Sequence, residues 1–202
     1  LGITSAMGST GQVVLPLLVS WLTEWLDWRM TLVVVTFALA PMALCIPFLR
    51  TNVSQAASSS DSISIMQTVK KAFGHSSYTL LSIGFFVCGF HVAFITVHLP
   101  PYIADLGLDP SWGAFALALI GLCNIVGSIA SGYIGGRYSK PHFLSLIYIG
   151  RAVAIFVFIM LPITPASVLI FSGVMGLLWL STVPPTSGLV AVMFGPRYMA
   201  TL

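Results

Sequence analysis

The sequence predicts an all-α membrane protein, a polytopic bundle of six transmembrane helices. Three observations carry that expectation. Only 6% of the 202 residues are charged and 57% are hydrophobic, with a mean hydropathy of +1.01, whereas a soluble domain is about 25% charged. A chain so poor in charge cannot coat a surface facing water, so lipid is its solvent. Its apolar residues also fall into runs of about 20, the length a helix needs to cross a bilayer. Finally, the connections between these runs are short, with one serine-rich exception.

The first run extends from Leu1 to about Trp25 and carries Gly8, Gly11 and Pro16. The second runs from about Met30 to Leu49, with Pro41 and Pro47. A polar stretch from Arg50 to Ser77 follows, containing TNVSQAASSSDSIS. It reads as the only long linker and as the domain boundary. Its part from Ser64 to Phe73 has the pattern of a short amphipathic helix on the membrane surface. The third run is about Tyr78 to Leu99, and PPYIADLGLDPSW reads as the loop after it. The remaining runs are about Gly113 to Ile134, Phe143 to Leu161 and Ala166 to Phe194. The domains expected are therefore residues 1–49, the linker 50–77, and residues 78–202. Leu1 leads directly into an apolar helix with no signal-peptide n-region before it. FGPRYMATL stops where another apolar segment could begin. The chain is thus expected to be an internal piece of a larger membrane protein.

Charge orients the bundle. With the serine-rich linker on the cytoplasmic side, Arg50, Lys70, Lys71, Arg137, Lys140 and Arg197 all fall inside and only Arg29 falls outside. This lysine and arginine bias places residues 50–77, 137–142 and 195–198 in the cytoplasm. Glu24, Asp27, Asp105 and Asp109 fall on the outer side. The net charge of +3 is too small and too scattered for a nucleic-acid footprint. Cys45, Cys88 and Cys123 lie in apolar runs without CxxC spacing and read as small hydrophobes, not as a disulfide frame or a zinc site. There is no P-loop, HExxH, GxSxG or pair of carboxylates. No enzyme, metal or cofactor is expected.

The candidate functional residues lie within the membrane. Arg151 sits about eight residues into the fifth run, roughly 12 Å deep at 1.5 Å per residue. A charge at the bilayer centre costs about 2.5–3.5 kcal/mol on insertion scales. Arg151 is either a structural arginine bonded to helix carbonyls or to an acid elsewhere, or an anion-binding or gating residue. His91 is the only mid-membrane candidate for proton coupling, with a histidine bonded to a neighbouring helix as the plainer reading. Asn124 and Gln12 suit interhelical hydrogen bonding, with solute contact the minority view for Asn124. Gly127/Ser131 and Ser128/Gly132 have the four-residue spacing that lets membrane helices approach closely. Pro184 and Pro185, among Thr182, Thr186 and other hydroxyls, read either as a packed kink or as a broken helix lining a solute path.

Taken together these features resemble the major facilitator superfamily. Gly8, Gly11 and Pro16 followed by Trp28-Arg29 look like its fifth helix and outer turn. Gly132-Tyr-Ile-Gly-Gly136-Arg137-Tyr-Ser-Lys140 looks like its basic loop motif, GxxxDRxGRR, with Gly136 where the motif has aspartate. GFHVAFITVHLPPYIADLGL and GLLWLSTVPPTSGLVAVMFGPR look like helices seven and ten of the monocarboxylate-porter-like and oxalate/formate-antiporter-like branch. The resemblance implies helices five to ten of twelve in a two-bundle fold, completed by the missing helices of the same full-length chain. It implies a secondary transporter of the inner or plasma membrane that moves a small organic solute, with an organic anion favoured and a proton as the candidate coupling ion. Helices seven and ten line the family's cavity and helix nine is peripheral, which favours His91, Thr182 and Thr186 over Arg151 for the solute path. Drug efflux is the nearest rival, and a non-transporting sensor or assembly factor the rival from another class.

Overall fold

The computed structural model describes residues 2–44 and 65–195, and the side chains of residues 8–37 and 69–195. Cys45, Arg50, Arg197, residues 196–198 and most of the serine-rich linker lie outside the described residues. Within them the chain is all α, with no strand. Eight helices follow one another: α1 (Gly2–Trp25), α2 (Trp28–Leu44), α3 (Ile65–Phe73), α4 (Ser76–Asp105), α5 (Ser111–Arg137), α6 (Lys140–Met160), α7 (Pro165–Leu178) and α8 (Val183–Phe194).

Among the described residues four units are long and apolar enough to cross a membrane: α4, α5, α6, and α7 with α8 taken as one interrupted span. α1 is a continuous helix of 24 residues that carries Pro16 in its interior. α3 is the short helix expected before the third span, with Lys70 and Lys71 in its last turn.

Two boundaries differ from the expectation. α4 does not stop at Leu99; it runs through Pro100 and Pro101 to Asp105. Burial decides this, because Leu99 and Ile103, one turn apart across the prolines, are both in the apolar core. The loop shrinks to residues 106–110, and just ahead of α5 the Ser111 N–H donates to Asp109 Oδ1 at 2.9 Å. These hydrogen bonds from Ser111, side chain and backbone, hold the exposed Asp109 carboxyl below its ordinary range.

The second difference is the interruption of the last span. The prolines are not the break. They occupy the first turn of α8, where a missing N–H costs nothing. The unwound turn lies just upstream, between Leu178 and Val183.

α5 is the hub. It packs most extensively on α1 and α7 and also touches α4, α6 and α8. Glycine makes two of these approaches possible. A Cβ on Gly121 would stand 2.8–2.9 Å from the Gln12 and Val13 backbone of α1, and one on Gly127 would overlap the Leu177 backbone of α7. The apolar core gathers Ile95, Leu99 and Ile103 of α4, Ala116 and Ile120 of α5, Phe158 of α6, and Val168, Phe171 and Met175 of α7, with Trp179. The Phe158 and Phe171 rings stack at 4.1 Å. At the opposite end of the bundle Tyr78 meets Phe194 edge-on at 5.5 Å.

Candidate functional site: the unwound turn at Leu180–Thr182

The chemistry of the last span starts from proline. Pro184 and Pro185 lack the N–H groups that would bond the carbonyls of Leu180 and Ser181 four residues earlier. Lipid cannot replace those bonds. The helix therefore opens ahead of the prolines, and its freed groups need partners. Val183 N–H turns back to the Leu180 carbonyl at 3.0 Å. Ser131 Oγ of α5 donates to the Ser181 carbonyl.

Arg151 of α6 takes the end of α7. Its Nε and Nη2 both donate to the Leu178 carbonyl, at 3.1 and 2.5 Å, and Nη2 also donates to the Trp179 carbonyl. The guanidinium is fully buried. It sits at the negative end of the α7 dipole, the stabilising position for a cation. Tyr148 lies one turn away on α6, its ring centroid 5.7 Å from the guanidinium carbon, and its hydroxyl donates to the Gly84 carbonyl of α4 at 2.7 Å. Arg151 Nη1 is buried without a hydrogen-bond partner among the described residues.

Asn124 of α5 holds the remaining group. Its Oδ1 accepts from the Leu180 N–H at 2.9 Å and from Ser128 Oγ at 3.2 Å. Its Nδ2 donates to Ser9 Oγ at 2.8 Å and to Gln12 Oε1 at 3.4 Å, both on α1. From α4, Cys88 Sγ meets Thr182 Oγ1 at 3.2 Å. Side chains of α4, α5 and α6 thus converge on one irregular turn in the middle of a span.

The other expected residues fall around this turn. Thr186 lies one turn below Thr182 and half-buried His91 one turn above Cys88; Thr186 Oγ1 and His91 Nδ1 have no hydrogen-bond partner among the described residues. Pro184 and Pro185 are buried. Gly127 and Ser131 both face the interrupted span, Gly127 against Leu177 and Ser131 on Ser181. Cβ atoms on Gly8 and Gly11 would meet nothing within 4 Å. The basic loop is only two residues long. Arg137 ends α5 and lies over the Tyr133 ring at 4.7 Å, Lys140 starts α6 beside Gly188, and Gly132 is half-buried a turn before Arg137.

Sequence reasoning missed Ser9, Cys88 and Tyr148. Ser9 had a usable signal, since it lies three residues before Gln12 and so shares its helix face. Cys88 had none, because a cysteine in an apolar run packs like any small hydrophobe. Two open grooves, about 390 and 440 Å³, lie elsewhere and are almost wholly apolar; neither is lined by His91, Asn124, Arg151 or Thr182.

An interrupted span braced from three neighbouring helices is a feature of membrane carriers. A profile of the Major Facilitator Superfamily matches residues 1–202. The chain belongs to the Major Facilitator Superfamily. It is an integral membrane protein of a transporter family, and the unwound turn lies midway along its last candidate span. No curated protein and no solved structure matches this superfamily chain.

Proposed function

We propose that the chain forms part of a secondary active transporter that moves a small organic anion by alternating access. Residues 1–49 belong to one helical bundle, residues 78–202 to the other, and residues 50–77 join them on the cytoplasmic side of the inner or plasma membrane. Further helices of the same chain complete a twelve-helix fold. The observation that carries the proposal is the unwound turn at Leu180–Thr182, irregular backbone at membrane depth that is tolerated against protein or a cavity. Anion transport is supported by Arg151, a buried cation whose hydrogen bonds among the described residues go to backbone carbonyls, and whose Nη1 has no partner there. The resemblance to monocarboxylate and oxalate/formate porters points the same way. In this reading α4 and α8 line the solute path through His91, Thr182 and Thr186, and His91 is the candidate proton carrier.

The test is counterflow of a labelled monocarboxylate in proteoliposomes holding the full-length chain. Accumulation of label against an unlabelled internal pool is the expected result. Efflux of lipophilic cations with no carboxylate exchange would instead make the protein a drug antiporter. Movement of neither would make it a non-transporting membrane protein.

A further inference from the structure

We infer that Asn124 is a positioning residue that couples the unwound turn to the interface between α1 and α5. The inference rests on the transport reading above, in which these two helices belong to different bundles and shift against each other.

Asn124 is completely buried and both ends of its carboxamide are in use. The Nδ2 end reaches across to α1, to Ser9 Oγ at 2.8 Å and Gln12 Oε1 at 3.4 Å. The Oδ1 end accepts from Leu180 N–H at 2.9 Å, inside the unwound turn. One planar group therefore spans two contacts that alternating access would have to change. The approach is close because Gly121, on the same face of α5 and three residues earlier, admits the Gln12 backbone. Withdrawal of α1 removes both acceptors from Nδ2. At this depth water does not replace them cheaply. The amide then reorients toward other partners and releases the Leu180 N–H, so the turn loosens when the interface opens. Arg151 and Ser131 grip the same turn but have no bond to α1 among the described residues. Asn124 alone of the three joins the two contacts.

Cys88 offers a native reporter. It is buried at 3% exposure and its sulfur rests on Thr182 Oγ1, at the far side of the turn from α1. The experiment uses the full-length chain in membranes with every cysteine except Cys88 replaced by serine. The rate of N-ethylmaleimide labelling is measured for the parent, for Ser9→Ala/Gln12→Leu, for Asn124→Leu and for all three changes together. Coupling predicts that the α1 pair raises the Cys88 rate by about threefold or more, within the range one neutral hydrogen bond contributes to an opening equilibrium. It also predicts that Asn124→Leu raises the rate similarly and that the combination adds nothing further, the signature of residues acting as one unit. A Cys88 rate unmoved by Ser9→Ala/Gln12→Leu overturns the inference, whether or not Asn124→Leu changes it. Should Asn124→Leu fail to insert, the α1 pair still decides. Monocarboxylate counterflow on the same membranes separates the two readings, because coupled labelling in a protein that moves no solute would refute transport and leave the link standing.

Discussion

α4 and α5 are both long, apolar spans, yet in the apolar 18-residue stretch of each, 44% of α5 is buried inside the bundle against 11% of α4. Apolarity does not separate them, because lipid accepts a leucine as readily as a neighbouring helix does. What separates them is the pattern of small and polar residues. α5 carries Gly121, Asn124, Ser128, Ser131 and Gly135 at alternating steps of three and four, one continuous stripe, and all five are buried. Asn124, Ser128 and Ser131 are all hydrogen-bonded. α4 instead displays Phe86, Phe90 and Phe94 on an exposed face, with Phe90 and Phe94 stacked at 5.7 Å. Its half-buried His91 has one ring nitrogen with no partner among the described residues. α5 is built as a scaffold, and α4 as an element with a face left over.

The largest expected effect breaks the scaffold from the other side of the turn. Arg151→Leu strips the Leu178 and Trp179 carbonyls of their donors. Each buried unsatisfied group costs about 1–3 kcal/mol, so a loss of about 2–6 kcal/mol is expected, read as a lowered Tm in detergent. Arg151→Lys should recover only part of it, since an ammonium cannot reproduce the guanidinium fork. A Tm unchanged by Arg151→Leu would mean that the turn does not depend on its cap.

A smaller effect sharpens the contrast between glycines that pack and glycines that do not. Gly127→Ala forces a Cβ into the Leu177 backbone and should cost about 1–3 kcal/mol by overpacking. Gly8→Ala meets open space and should shift stability by no more than about 0.5 kcal/mol. Equal melting temperatures for the two variants would remove close approach as the reason α5 is buried.

The smallest effect lies at the loop joining α4 to α5. The Asp109 carboxyl is held below its ordinary value by hydrogen bonds from Ser111. A depressed carboxyl pKa contributes stability above the unfolded value, about 3.9, and loses it as pH falls through the folded value. Asp109→Ala should therefore lower the Tm slightly at pH 7, and the difference should shrink only once the pH drops below the unfolded value and vanish below the depressed folded one. A difference that persisted in acid would point to packing instead of these hydrogen bonds.

Much of this was legible in the sequence for physical reasons. The scarcity of charge and the runs of about 20 apolar residues dictate a helical membrane protein, since lipid leaves the backbone few other ways to satisfy itself. Gly127, Ser131, Asn124 and Arg151 stood out because small, polar or charged residues are costly or informative at that depth. The exact site of the break did not stand out. Prolines mark where N–H groups are missing, but the carbonyls they abandon lie four residues upstream, so the chain unwinds before Pro184 instead of at it. The partners of the turn were hidden as well. Cys88, which meets Thr182, and Ser9 and Tyr148, which stand behind Asn124 and Arg151, are distant along the chain and brought together only by packing. The length of α4 was obscured for the opposite reason, because Pro100-Pro101 reads as a stop until Leu99 and Ile103 are seen to share one core.

The contrast between the scaffold α5 and α4, the helix proposed to face the solute, is tested most directly by single cysteines placed along both in the full-length, cysteine-free protein and probed with a membrane-impermeant maleimide. The account predicts water access on α4 at positions 87, 91 and 94, with protection by a transported monocarboxylate, and silence on α5 at positions 124, 128 and 131. Labelling and solute protection along the α5 stripe, with α4 unreactive, would contradict it.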